Sequence, residues 1–93
     1  MRADPTPSLT FTAGGGTLGR LIAEFDWQGT ELGPLIHWPA HVRVATALML
    51  RSTVPIVMLW GTTGVMIYND AYSHFAGQRH PRLLGSKVRE GWP

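Results

Sequence analysis

Apolar residues recur along the chain first with a helical period and then with a strand period, and the switch falls at Pro55. After Thr17, Leu18, Leu21, Ile22 and Phe25 fall at i, i+3, i+4 and i+7, which predicts a helix over 17–25 capped by Thr17. Asp26, Trp27, Gln28 and Gly29 end it, and Leu32-Gly33-Pro34 continues as a loop. Pro39 suits the first position of a second helix, since its missing amide is not needed there. Val42, Ala45, Leu48 and Met49 form that helix's expected apolar stripe, with Arg43 and Arg51 toward water, and Pro55 bars it from running on. Ile56 to Trp60 and Val65 to Tyr68 are strand-length apolar runs joined by Gly61-Thr62-Thr63-Gly64, a β-hairpin. Asn69 then caps a short helix over 70–76, and Gly77 stops it. Turns at His80-Pro81 and Leu84-Gly85 and a last helical turn complete the pattern. Ahead of it, residues 1–16 read as a flexible arm: Asp4-Pro5-Thr6-Pro7 breaks structure and Gly14-Gly15-Gly16 is a joint. Between them, Leu9-Thr10-Phe11-Thr12 alternates as a short strand or docked extension would.

Length confines this pattern to one small domain or a piece of one, at 93 residues. With 44% apolar and 15% charged residues, the chain is too apolar to be disordered throughout. No cysteine occurs, which excludes disulfides, thiolate metal sites, a thiol nucleophile and photochemistry through a cysteine adduct in this chain. The net charge is +2, with −1 on residues 1–46 and +3 on 47–93. Arg79, Arg82, Lys87 and Arg89 cluster near His80 with no acid before Glu90; they suit phosphates, but read more simply as a solvated polar loop. The N-terminus lacks the apolar run of a secretory signal. The charge-free stretch from Ser52 to Asn69 is 18 residues long, but Pro55, Gly61 and Gly64 break it, so it reads as buried sheet.

Candidate chemistry is sparse. Gly14, Gly16 and Gly19 have the spacing of a dinucleotide loop, yet no buried strand precedes them and no acid lies between Glu31 and Asp70. His37 and His41 are four apart, but Pro39 separates them and Trp38 stands where a metalloprotease needs Glu. Ser8, Ser52, Ser73 and Ser86 lack a nucleophile's context. No catalytic residue and no metal ligand is expected. Trp27, Trp38, Trp60 and Trp92 with Phe11, Phe25, Phe75, Tyr68 and Tyr72 are a large aromatic inventory for this length. It suits core packing first, and a flat ligand cavity or dimer face second.

Tyr68-Asn69-Asp70-Ala71-Tyr72, then Phe75 and Gly77, then His80-Pro81 and Leu84-Gly85, resemble the opening half of a PAS sensor domain. In that family a two-stranded hairpin leads through an Asn-x-Ala segment into short helices. Upstream, Leu18-Gly19, Phe25-Asp26-Trp27, Leu32-Gly33-Pro34 and Trp38-Pro39 resemble the leader that precedes PAS domains in bacterial sensor histidine kinases. With Glu90-Gly91-Trp92-Pro93, the likeness covers about residues 14–93. It implies an α+β, incomplete PAS-like fold: two N-terminal helices, a β-hairpin and short helices. The division becomes a flexible arm over 1–16, a helical leader over 17–54 and a truncated first PAS half over 55–93.

A PAS sheet has five antiparallel strands, so the resemblance implies a fragment, or a chain that borrows strands from a partner. The implied function is the signal-sensing region of a cytoplasmic two-component sensor histidine kinase, acting through biased conformational change and dimerisation. The kinase core is not in this chain, so the chain itself is not expected to be an enzyme. Asn69, Ala71, Gly77 and Gly85 are the structural motif residues. Leu59, Met66, Tyr68, Tyr72 and Phe75 would line a pocket completed downstream, where haem, flavin or a small metabolite could bind. Leu21, Phe25 and Leu48 are the dimer or relay candidates. Partners would be a second copy and a downstream output domain, with no nucleic acid and no membrane insertion. The alternative is a freestanding small interaction protein that pairs its hairpin edge with a partner.

Overall fold

The computed structural model describes residues 10–92. The fold is α+β, with helices α1 (Gly16–Glu24), α2 (Ala40–Leu50), α3 (Asp70–Ala76) and α4 (Val88–Gly91) around a hairpin of β1 (Val57–Trp60) and β2 (Val65–Tyr68). Among the described residues no helix is long and apolar enough to cross a membrane.

The apolar face expected for α1 is present: Leu18 and Ile22 are buried, with Leu21 and Phe25 packed half-buried at its margin. Thr17 does not cap the helix, a correction to the expected start. Gly15 occupies the cap position without a side-chain bond, and the cap comes from a distant residue, Asp70. The helix stops where Phe25 turns extended, and Asp26 begins the next turn by accepting from the Gln28 N–H at 3.1 Å. Beneath it Trp27 is buried and donates its indole N–H to the Ile22 carbonyl at 2.8 Å.

Residues 1–9 lie outside the described residues, but Thr10–Thr12 forms a 3-10 turn packed on α1 and α2. Two glycines of the triglycine behind it are close-packed: a Cβ on Gly15 would meet Leu50 and one on Gly16 would meet Asp70, while Gly14 has nothing within 4 Å. Farther on, a Cβ on Gly19 would lie 2.4 Å from the Thr12 carbonyl. Glycine here permits contact between backbones, a use the repeat in sequence does not distinguish from flexibility.

Helix α2 is rotated from its expected stripe. Val42, Thr46, Met49 and Leu50 are buried, Ala45 is partly so, and Leu48 is 69% exposed. At 100° per residue, Leu48 sits about 145° from the centre of the buried face. Thr46 takes the inward place because its hydroxyl donates to the Val42 carbonyl at 2.7 Å, which satisfies its polar atom without a core partner. Arg43 is also turned inward enough to donate to the Trp38 carbonyl at 2.7 Å.

The hairpin forms in the expected place, with Val57 opposite Tyr68 and Trp60 opposite Val65. Alternation puts Met58, Trp60, Val65 and Ile67 on one face and Val57, Leu59, Met66 and Tyr68 on the other. The first face meets α2, where His41 stands edge-on to Trp60. The second meets the segment after α3, through Tyr68 with His80 and Met66 with Ser86. All of β2 is buried as a result.

Gly85 closes the fold against α1. It has φ +79°, and a Cβ there would lie 2.3 Å from the Phe25 ring. Gly85→Ala should therefore lower stability by roughly 1–3 kcal/mol in urea unfolding. Gly29→Ala, with nothing within 4 Å and no positive φ, should stay within about 0.5 kcal/mol. Equal losses in the two variants would show that the Gly85–Phe25 contact is unimportant.

Candidate functional site

The polar centre of the molecule is the junction between β2 and α3. Asn69 is 1% exposed, and its amide is fully used. The Oδ1 atom accepts from the Tyr72 N–H at 3.0 Å, capping α3 as expected, and from the Ile56 N–H at 3.2 Å. The Nδ2 group donates to the Met49 carbonyl at 3.0 Å and the Val54 carbonyl at 2.9 Å. One side chain thus fixes the end of α2, the entry to β1 and the start of α3.

Asp70 extends the junction to α1. Its carboxylate accepts from the Leu18 N–H at 2.7 Å and the Thr17 N–H at 3.1 Å, two amides that the helix itself leaves unpaired. Gly16 makes the approach possible, because a Cβ there would lie 2.2 Å from an Asp70 oxygen. A second tie reaches the hairpin loop. Glu31 accepts from the backbone N–H groups of Thr62 and Thr63 at 2.8 and 3.0 Å and from both hydroxyls at 3.0 and 2.8 Å. Those donors, the Thr62 backbone foremost, lower the Glu31 carboxyl from 4.5 to about 2.

The expected pocket residues are brought partly together. Tyr68, Tyr72, Phe75 and Trp92 form a row with ring centres 5.2, 5.5 and 6.5 Å apart. Tyr68 and Met66 are buried, Tyr72 is half-buried, and Phe75 and Leu59 are 69% and 50% exposed. Two open clefts, of about 530 and 570 Å³, lie elsewhere, and none of the five residues lines either. The Tyr68 hydroxyl is 2.7 Å from His80 Nδ1, and burial raises its pKa to about 12. Of the motif residues, Gly77 ends α3 at φ +59°, Gly85 receives Phe25, and Ala71 is half-buried in α3. Leu21 and Phe25 pack against the core, whereas Leu48 stands in solvent with Val44 on the outer side of α2.

The two edges of the hairpin differ. The Asn69 N–H bond to the Ile56 carbonyl sets the phase of pairing, so the backbone groups of Met58 and Trp60 face β2 and those of Val57 and Leu59 face away. Among the described residues nothing bonds to that outer edge of β1. The outer edge of β2 is covered: the Met66 N–H donates to the Ser86 carbonyl at 2.9 Å and the Gly85 N–H to the Met66 carbonyl at 2.8 Å.

Two serine hydroxyls are spent on the backbone. Ser73 donates to the Asp70 carbonyl at 2.6 Å and Ser86 to the Leu83 carbonyl at 2.7 Å. Among the described residues no group of three or more His, Asp or Glu could hold a metal ion. The chain matches no protein-family model, no curated protein and no solved structure.

Sequence reading found Asn69 as a helix cap and missed its donors, and it missed Asp70 and Glu31 as long-range acceptors. Their partners lie 52 and 31 residues away, beyond any periodic signal. The Glu31 tie has a measurable pH signature. A carboxyl lowered in the folded state adds its full stability above pH 4.5 and loses it as pH falls through about 2. The stability gap between wild type and Glu31→Gln should be constant from about pH 5 to 7 and close between 4.5 and 2 in urea melts. A gap that persists unchanged at pH 2 would contradict the tie.

Proposed function

We propose that this chain is the leader and opening half of a PAS-type sensor domain in a cytoplasmic two-component sensor histidine kinase. The observation that carries the proposal is the pair of unlike hairpin edges beside the Asn69 junction. A five-stranded sheet needs further strands next to this hairpin, and β1 has the outward backbone groups to receive one, while β2 is covered by residues 85–88.

The mechanism is conformational. Asn69, Asp70 and Glu31 join the hairpin to α2, α1 and the loop before α2, so a shift of the sheet is passed to the leader helices. The ligand side is the hairpin face of Leu59, Met66 and Tyr68. Met66 and Tyr68 are covered by the segment after α3, so haem, flavin or a small metabolite would sit at the open part of that face, against the half-exposed Leu59, once later strands complete a pocket. The output is a kinase domain, reached through a homodimer that uses the exposed Val44 and Leu48 side of α2. A second interpretation, a freestanding interaction protein, draws on the same open edge and on the half-exposed Leu59 beside it.

The deciding experiment is the intact mass of the gene product in its native cell, with its assembly state. A sensor kinase predicts a polypeptide several times the 10.2 kDa of this chain, and a dimer by light scattering that Leu48→Glu dissociates with little change in melting temperature. A product of about 10.2 kDa favours the freestanding interaction protein, and a monomer in the wild type removes the dimer.

A further inference from the structure

We infer that the cleft between α3 and α4 is a binding site for a small organic dianion that carries a hydroxyl group. The cleft has a volume of about 530 Å³, within the roughly 300–1,000 Å³ range of small-molecule sites. Arg79, Arg82, Gln78, Ser86 and Glu90 line it above Leu83. Gly91 lets α4 close onto that floor, since a Cβ there would lie 2.4 Å from Leu83 Cδ2.

The charges define the ligand. Two arginines and one glutamate line the cleft, and among the described residues neither arginine has a carboxylate within salt-bridge distance. Arg79 is held in place: its guanidinium carbon lies 4.2 Å from the centre of the Trp92 ring, and Trp92 in turn stands against Phe75. Stacking occupies one face of a guanidinium and leaves its edge donors for an anion. A carboxylate or phosphate is the group such a planar fork recognises. Ser86 has committed its proton to the Leu83 carbonyl, so its oxygen, like the Glu90 carboxylate, accepts. Acceptors beside two arginines suit a hydroxyl on the same small molecule, as in a hydroxydicarboxylate or a polyol phosphate. The site accounts for Arg79 and Arg82 within the cationic run that the hairpin and its junction do not use. It is independent of the sensor proposal, whose pocket residues lie outside this cleft.

Titrating the whole chain with malate and with glycerol 3-phosphate, followed by amide NMR shifts in about 0.1 M chloride, tests the assignment. Saturable shifts confined to residues 76–92 are expected for at least one of the two. Arg79→Gln and Arg82→Gln should each weaken binding by about tenfold or more, while Arg20→Gln on α1 leaves it unchanged. Succinate, which lacks the hydroxyl, should bind more weakly than malate. Absence of saturation by about 20 mM for both ligands, or shifts spread over every surface cation, would overturn the site. The wild-type titration decides this even where an arginine variant fails to fold, because the location of the shifts is read without it.

Discussion

A buried primary amide must find partners for two donors and an acceptor oxygen, or lose stability for each one missing. Asn69 meets that demand only when the end of α2, the entry to β1 and the first turn of α3 are all in place. The requirement makes three separate elements depend on one another. Asp70 adds a fourth, because its carboxylate supplies the cap that α1 lacks from its own sequence. Leader and hairpin are therefore one folding unit, and the polar groups specify how the apolar faces meet.

A two-stranded hairpin alone is marginal in water. Here it is covered on both faces, by α2 on the side of Ile67 and by the segment around His80 and Ser86 on the side of Tyr68 and Met66. Residues 85–88 also pair with the outer edge of β2. Among the described residues the outer edge of β1 is unpaired and has backbone bonding capacity left over, and both functional interpretations start from it. The Glu31 tie holds the loop at the far end of the same hairpin, so any strand added at β1 would act on an element already anchored at each end.

The elements themselves were legible in local pattern: the stripe of α1, the hairpin runs around Gly61-Thr62-Thr63-Gly64, and the Asn69 cap with its Gly77 stop. The orientation of α2 was not. Leu48 looks like a core residue and Thr46 like a surface one, and the order reverses because Thr46 bonds its own helix backbone. At the triglycine, the sequence records neither the approach of Leu50 to Gly15 nor that of Asp70 to Gly16. The site was legible only as residue types. Tyr68, Tyr72 and Phe75 do gather, whereas the acceptors Asp70 and Glu31 act on amides far away in sequence.

Native-state hydrogen exchange on Asn69→Asp tests the central dependence most directly. Aspartate keeps the oxygen that caps α3 and removes the donors that hold the end of α2 and the entry to β1. If the junction couples leader to hairpin, the most protected amides of α2 and β2 lose protection together, by about 2–3 kcal/mol, while α3 keeps its cap. Unchanged protection in α2 and β2, with any loss confined to the first turn of α3, would contradict the account.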